Sequence, residues 1–282
     1  MNMSMVITRQ PVTIAELVAA LRVQQGRKDA LIPTGSDDAC PSARAAHGAR
    51  PVLVVGAHPG AGTSVVALAL AEVLGMTDPT SGVDGVRLVD ATGDGASGLA
   101  GAAQREIGGR DDRWRIGRRG AIDIWWPAAP RISMRELPEI ILSGTGPLVV
   151  DAGWSGRQGI GAERFGALFA ASRVMVVCRA SVPGVRRVEL ALEGLPGRPV
   201  VAAVGARRWP AAVVASWGPR LAQAVSEDRA VLIPSVRRVE VNGIDSEALP
   251  RSITGAATRV AGLLWPATLA SSQTSRIGRV HR

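Results

Sequence analysis

The sequence is poor in the residues that build metal sites, disulfides and nucleophilic catalytic centres. Among 282 residues there are two cysteines and three histidines. Cys40 and Cys178 lie far apart, which excludes a disulfide framework and a cysteine-based metal site. The histidines are scattered without a matching nucleophile or carboxylate, which excludes hydrolase-type nucleophilic catalysis. Cys178 lies inside the apolar run VMVVC and is expected to be a small core residue of a strand.

Long hydrophobic segments are also absent. Although 46% of the residues are hydrophobic, an apolar run such as residues 65–74 is much shorter than the roughly 18 to 20 residues that cross a bilayer. The first ten residues, MNMSMVITRQ, lack the charged start, apolar stretch and cleavage site of a secretory signal. We therefore expect a protein without a membrane span that stays in the cytoplasm.

Lysine is nearly missing, and arginine supplies the positive charge. Lys28 is the only lysine among 33 basic residues, and the formal net charge is +9. Such a surplus favours nucleic acid, acidic proteins or anionic lipid headgroups without choosing among them. Residues 110–126 combine arginines with tryptophans and are expected to form a turn and an irregular strand or hairpin. This segment suits a protein interface, base stacking or a solvated edge.

The chain divides into four expected segments. Residues 1–32 form a helical segment, in which a helix at 13–25 begins with the capping-box pair Thr13 and Glu16. This helix is interpreted either as a docking element or as a helix packed on the main domain. Residues 33–50 are a Gly/Ser/Ala/Pro-rich linker, residues 51–266 an α/β domain, and residues 267–282 a basic disordered tail. The tail is either solvated or a contact to DNA, RNA or lipid headgroups.

From residue 51 onward, short apolar runs alternate with helical patterns. This alternation predicts an α/β fold with a mostly parallel sheet and helices on both faces. Strands are predicted at residues 52–55, 86–89, 148–150, 174–178, 200–204 and 231–233. Helices are predicted at residues 64–74, 97–107, 135–142, 162–171, 185–195, 211–224 and 251–264.

The clearest motif is the segment VLVVGAHPGAGTSVVALALAEVL, which is a buried strand, a glycine-rich turn and a helix. Such a turn directs backbone N–H groups and the positive end of a helix dipole at one point, where a phosphate binds well. A β-α turn that binds no nucleotide is the alternative. The candidate phosphate-binding residues are Gly56, His58, Gly60, Ala61, Gly62, Thr63 and Ser64, and the Ser64 hydroxyl is a candidate magnesium ligand.

The motif departs from the Walker pattern G-x-x-x-x-G-K-[ST] at two fixed positions. Ala57 replaces the first glycine and Thr63 replaces the lysine, and no shifted alignment restores it because Lys28 lies outside the α/β region. A charge-assisted hydrogen bond to phosphate contributes about 1.5 to 3 kcal/mol, so its loss predicts weak binding and slow turnover. An arginine from elsewhere in the fold is an alternative source of charge. Candidates are the doublets Arg186/Arg187, Arg207/Arg208 and Arg237/Arg238.

Several of these segments together resemble the MinD/ParA branch of P-loop ATPases over residues 51–265. His58 stands where that family has its signature lysine, Asp90 in VRLVDATGDGASGL matches an acidic residue after strand two, and Asp151 in LVVDAGW matches the Walker B strand end. Pro234 matches a proline near the base pocket. The resemblance implies ATP or ADP with magnesium as cofactor, Asp151 and Asp90 as catalytic residues, and Ser64 and Asp151 at the metal. Asp151 as a cap of the following loop is the alternative.

The segments GAHPGAGTS, VVDAGW, VPGVRR and ARRWP also resemble an actinobacterial subgroup of MinD-like proteins that accompany conjugation or mobile-element genes. TadZ/CpaE-like pilus localisation factors are similar in keeping the fold with a degenerate loop. The resemblance implies a weak or inactive ATPase that acts as an adaptor or positioning factor for a protein partner, with a homodimer as its assembly. Two alternatives remain: an active ATPase that uses an arginine, and a DNA-binding partition-type protein that uses residues 110–119 and the tail.

Overall fold

The computed structural model describes residues 50–77, 85–92, 97–110, 113–128, 146–154, 172–195 and 197–265. The predicted helix at 13–25, the linker before residue 50, the helices at 135–142 and 162–171 and the basic tail lie outside these ranges.

The described residues form nine strands and seven helices. The strands are β1 (Val52–Gly56), β2 (Val86–Asp90), β3 (Arg105–Arg110), β4 (Trp114–Arg119), β5 (Ile122–Pro127), β6 (Leu148–Gly153), β7 (Arg173–Arg179), β8 (Val200–Val204) and β9 (Ala230–Ile233). The helices are α1 (Thr63–Thr77), α2 (Leu99–Ala102), α3 (Val182–Glu193), α4 (Ala211–Val214), α5 (Pro219–Ser226), α6 (Arg237–Asn242) and α7 (Arg251–Leu264).

All nine strands belong to one sheet in the order β3-β4-β5-β2-β6-β1-β7-β8-β9. The six pairings from β5 to β9 are parallel, whereas β4 is antiparallel to both β3 and β5. β1 lies between β6 and β7 in the sheet interior. This arrangement confirms the predicted α/β fold with a mostly parallel sheet.

Helices cover both faces of the sheet, as the continuous apolar strands predicted. Successive residues of β1 enter opposite cores: Val52 and Val54 pack against α1 and α7, whereas Leu53 and Val55 face the core that α3 and α5 complete. α1 is apolar around most of its surface, which suits a helix packed between the sheet and α7. Cys178 is fully buried in β7, as predicted.

None of the helices in the described part of the chain has the length and hydrophobicity that a bilayer-spanning helix requires.

Two helix predictions are wrong. The helix expected at 97–107 ends at Ala102, and Arg105–Arg110 instead forms β3. Pairing with β4 decides this conformation, and a local sequence pattern carries no information about that distant partner. The helix expected at 211–224 is two helices, because Pro219 removes an N–H donor and holds the preceding Gly218 in an extended conformation.

The hairpin interpretation of residues 110–126 is confirmed for β4 and β5, which are antiparallel around Gly120. Gly120 has a φ of 55°, a conformation that glycine adopts at little cost. β3 adds a third strand to this hairpin, so one edge of the sheet is antiparallel.

Carboxylates form ion pairs with two partly exposed arginines of the hairpin. Arg115 pairs with Glu106 at 3.2 Å on the surface. Arg118 donates Nε and Nη2 hydrogen bonds to Asp123 at 2.8 and 3.1 Å, and this carboxylate raises the pKa of the guanidinium. These two carboxylates offset part of the positive charge on the hairpin surface.

Arg119 is the buried arginine of this hairpin. Its Nε and Nη2 atoms lie 2.8 and 2.7 Å from Glu72 Oε1 on α1. Its Nη1 donates to the carbonyl oxygens of Ala102 at 3.0 Å and Asp245 at 2.8 Å, and Nη2 donates to that of Glu247 at 2.5 Å. Arg119 therefore joins β4 to α1, α2 and the loop before α7. With 4% of its side chain exposed, it is inaccessible to nucleic acid.

Gly184 allows α3 to begin directly against the end of β7. A Cβ atom added there would lie 2.1 Å from the Arg179 carbonyl oxygen, which belongs to the backbone and cannot rotate away. We expect Gly184→Ala to lower the free energy of unfolding by about 1 to 3 kcal/mol, as overpacking does elsewhere. Denaturant titration measures this change. Gly194→Ala is the matched control, because a Cβ added there would lie 3.9 Å from its nearest neighbour, the Ala191 carbonyl oxygen. Equal losses in both variants would contradict this explanation.

Candidate functional site

The glycine-rich segment joins the end of β1 to the start of α1. Gly60 and Gly62 have φ values of 71° and 95°, in the left-handed region that favours glycine. The turn is closed by a hydrogen bond from Ala61 N to His58 O at 3.3 Å. The strand, turn and helix therefore follow each other as the sequence predicted.

Thr63 and Ser64 occupy the first turn of α1. The first helical hydrogen bond runs from Val66 N to Gly62 O, so the amides of Thr63 and Ser64 precede the intrahelical ladder. The Thr63 hydroxyl faces back toward the loop, since a Cβ added to Gly56 would lie 2.7 Å from its Oγ1. A side chain at position 63 therefore points into the turn, where the Walker pattern has its lysine.

His58 braces the loop against the neighbouring strand. Its Nε2 accepts a hydrogen bond from the Arg179 amide at 3.2 Å. Its Nδ1 lies 2.8 Å from the Pro59 carbonyl oxygen, a geometry in which Nδ1 donates to that oxygen. Both ring nitrogens are thus engaged within the protein, and the residue at the family's signature-lysine position has a structural contact.

Asp151 lies in β6, beside the strand that leads into the loop. It pairs in register with Val54 of β1. The side chain is fully buried, and Oδ1 accepts a hydrogen bond from the Gly153 amide at 3.0 Å. Among the described residues, Oδ2 has no well-formed hydrogen-bond partner. Burial and the Asp90 carboxylate raise the pKa of Asp151 to about 7, against the opposing influence of the nearby Ser64 hydroxyl and the Gly153 amide.

Asp90 is the last residue of β2, the strand beside β6, and both of its carboxylate oxygens accept hydrogen bonds. It pairs in register with Asp151. Its Oδ1 accepts hydrogen bonds from the amide and hydroxyl of Thr92 at 3.0 and 2.6 Å, and its Oδ2 accepts one from the Ser97 hydroxyl at 2.5 Å. Asp90 therefore organises the turn after β2, and a catalytic role for it remains a prediction.

Ser64 and Asp151 fit a magnesium ion. A buried carboxylate oxygen without a partner, next to a hydroxyl at a helix N-terminus, supplies the oxygen ligands that Mg²⁺ prefers. No group of three or more His, Cys, Asp or Glu side chains gathers as a metal site within the described ranges. The remaining ligands would therefore be water or phosphate oxygens, as is usual for magnesium with nucleotides.

A cleft of about 470 Å³ opens beside the loop. Pro234 lies in its wall together with the loop glycines Gly60 and Gly62, so residues far apart in sequence line one cavity. The other lining residues are Val65, Val66, Arg179, Val204, Ile233, Ser235, Val236, Val239, Glu240 and Ile253.

Arg179 is the site residue that sequence reasoning missed. It is the last residue of β7, the strand beside β1, and it lines the cleft. Its position directly after the apolar run VMVVC was a usable signal, because side chains at the carboxyl ends of parallel strands border such clefts.

The arginine doublets lie elsewhere than in the cleft lining. Arg186 and Arg187 are exposed on α3, and Arg207 and Arg208 are exposed after β8. Arg238 Nη1 contacts Asp245 and Glu247, both at 2.8 Å. The cleft therefore obtains its guanidinium from Arg179, which precedes the first doublet by seven residues.

Solved structures of ParA- and MinD-type proteins have a similar fold. A ParA family ATPase from Chlorobium tepidum has a TM-score of 0.50 and 16% identity, covering 79% of this chain and 96% of its own. The MinC:MinD cell division protein complex of Aquifex aeolicus contains a chain with a TM-score of 0.50 and 14% identity, covering 75% and 96%. The chain has a MinD/ParA-like P-loop fold. A plasmid partition protein of Borrelia burgdorferi bound to AMPPNP has a TM-score of 0.51 and 13% identity, covering 77% and 99%.

No protein-family model and no curated protein sequence matches the chain. The MinD/ParA-like fold is therefore shared with these proteins in three dimensions at 13 to 16% sequence identity. The roles predicted for the loop residues, Asp90, Asp151 and Pro234 remain predictions.

Proposed function

We propose that this MinD/ParA-like chain is a cytoplasmic nucleotide-binding protein that hydrolyses ATP weakly or not at all and acts as an adaptor or positioning factor. The observation that carries the proposal is the cleft, in which the β1–α1 loop glycines and Pro234 share one cavity. The AMPPNP bound to the Borrelia burgdorferi protein supports a nucleotide as the ligand.

Weak hydrolysis follows from the residue at position 63. A threonine hydroxyl offers hydrogen bonding without the positive charge that stabilises phosphoryl transfer. Magnesium, when bound, neutralises phosphate charge. Ser64 would hold it through the hydroxyl and Asp151 through Oδ2, while the loop amides would orient the phosphates.

The adaptor role implies a protein partner and a homodimer. The MinD of Aquifex aeolicus was solved in a complex with MinC, which supports a protein partner for a chain of the same fold. Conjugation, pilus or partition machinery is the expected setting.

Calorimetric titration with ATP, GTP and ADP, with and without magnesium, tests the nucleotide site. We expect binding of at least one nucleotide, strengthened by magnesium, and phosphate release near background. Ser64→Ala should lose the magnesium effect, whereas Ser216→Ala, a surface serine on α4's C-terminal side, should keep it. Absence of binding for all three nucleotides would refute the proposal.

Thr63→Lys is expected to restore the missing charge, because the side chain at this position faces the loop. Affinity for ATP should rise roughly ten- to a hundredfold, the equivalent of one charge-assisted hydrogen bond, and phosphate release should become measurable. Titration and a phosphate-release assay measure the two effects. Thr258→Lys on the exposed side of α7 adds the same charge elsewhere; an equal gain there would contradict a local effect.

An active ATPase that uses an arginine is the second candidate function. Arg179 in the cleft wall favours it. Turnover that disappears in both Arg179→Gln and Asp151→Ala would support this candidate over the adaptor.

A further inference from the structure

We infer that Arg179 is the phosphate-binding cation of the cleft and that Glu240 holds it in reserve, so that a nucleotide must displace Glu240 to engage it. This inference rests on the proposed nucleotide site. The ligand class is a nucleoside di- or triphosphate, whose oxygens carry more negative charge than one carboxylate.

The position of Arg179 places its charge beside the loop. β7 runs parallel to β1, with Val177 opposite Gly56, and Arg179 follows two residues later at the same edge of the sheet. Its amide donates to His58 Nε2 at 3.2 Å, which ties its backbone to the loop. The Arg179 backbone is therefore fixed next to the β1–α1 loop, whereas its long side chain can exchange one partner for another.

The present partner of that guanidinium is Glu240 of α6. Arg179 Nη2 lies 2.8 Å from Glu240 Oε1, and the two side chains are 36% and 41% exposed. Both residues line the cleft. Arg179 lowers the pKa of the Glu240 carboxyl, so Glu240 is ionised at neutral pH and competes with an entering anion for the guanidinium.

The exchange favours phosphate. A half-exposed ion pair contributes little, because water screens it and two long side chains lose freedom. Guanidinium binds phosphate through two parallel hydrogen bonds of greater strength. Arg179 therefore gains by leaving Glu240 for a nucleotide.

Loss of Glu240's contact leaves α6 held by other contacts. Arg238 on the same helix contacts Asp245 and Glu247, and its Nη2 donates to the Ala248 carbonyl oxygen at 2.9 Å. These contacts keep the helix in place when Arg179 leaves, so the exchange is reversible. Because Arg179 must first give up Glu240, weakly binding anions are disfavoured.

A double-mutant cycle with Mg-ATP tests the inference in the full chain. Glu240→Gln should tighten binding by roughly two- to fivefold, because it releases Arg179 from its half-exposed ion pair. Arg179→Gln should weaken it by roughly ten- to a hundredfold. The double variant should bind like Arg179→Gln alone, because Glu240 then has no cation to withhold.

Matched controls separate charge from position. Glu193→Gln removes an exposed carboxylate of α3 from its pair with Arg220, and Arg187→Gln removes an exposed guanidinium of the same helix. Both should bind like the wild type. Thermal unfolding of each variant checks that the cleft is folded, and Arg179→Lys, which keeps the charge, should retain part of the affinity.

Each outcome decides between the hypotheses. Binding by the wild type that Arg179→Gln leaves unchanged would overturn this inference and keep the nucleotide site. Equal tightening by Glu240→Gln with and without Arg179 would also overturn it, because Glu240 would then act by repelling phosphate directly. Failure of both wild type and Glu240→Gln to bind any nucleotide would overturn the inference and the proposed function together.

Discussion

Replacing Arg119 by methionine is expected to lower the free energy of unfolding by about 3 to 5 kcal/mol, the usual cost of breaking a buried ion pair. The substitution leaves Glu72 buried without its cation and removes the donors from three carbonyl groups. Methionine has a comparable length and no charge, so packing is largely preserved. Urea denaturation followed by circular dichroism measures the loss.

Two further variants identify the origin of that loss. Arg115→Met removes a surface arginine of the same strand from its pair with Glu106, and it should change stability by less than about 1 kcal/mol. Arg119→Met combined with Glu72→Met should recover part of the loss, because no buried charge then remains unpaired. A double variant as unstable as Arg119→Met would show that the carbonyl contacts dominate.

Replacing Asp151 by asparagine is expected to stabilise the protein above pH 7 in the absence of magnesium. The folded-state pKa of about 7 lies above the ordinary value of 3.8, so the folded protein binds the proton more tightly than the unfolded chain does. The contribution of Asp151 to stability is therefore full below about pH 4 and is lost as the pH rises to about 7. At 1.36 kcal/mol per pKa unit, the loss is on the order of 4 kcal/mol.

The difference between wild type and Asp151→Asn isolates this group, since other titrating groups contribute to both. Denaturation at pH 5 and pH 8 with a chelator should show a gain for Asp151→Asn that is larger at pH 8. Asp90→Asn is the contrast, because Asp90 accepts three hydrogen bonds and should lose stability at both values. A gain for Asp151→Asn that is equal at pH 5 and pH 8 would contradict the buried, ionising carboxyl.

The phosphate-loop segment shows how much local sequence can predict. Residues 52–74 contain, in order, a run of apolar β-branched residues, several glycines and an apolar helical pattern. Each of these patterns predicts its own local conformation. The strand, turn and helix were therefore predictable, as was the parallel sheet. Asp151 was singled out through the resemblance of LVVDAGW to the Walker B strand end; the structure shows it buried beside β1, and its role at a magnesium ion stays a prediction.

β3 and the Arg179–Glu240 pair show where local information ends. β3 follows a segment with a helical pattern and contains two glycines. Its strand conformation comes from its pairing with β4. Arg179 and Glu240 are 61 residues apart, and the sequence around either residue does not predict its contact with the other. Likewise, the sequence does not distinguish Arg119 from its neighbouring arginines. Its burial and its contacts with Glu72 and three carbonyl groups depend on the tertiary structure.

The sequence by itself determined the buried strands of the parallel sheet, the glycine-rich junction after β1 and the absence of a lysine from that junction, because hydrophobic period, glycine and residue identity act over a few neighbours. Only the tertiary structure decided which cation reaches the cleft, which carboxylate holds that cation, and which arginine is buried. Those outcomes depend on the strand order of the sheet, which brings chain segments dozens of residues apart within hydrogen-bonding distance and removes water from some of them.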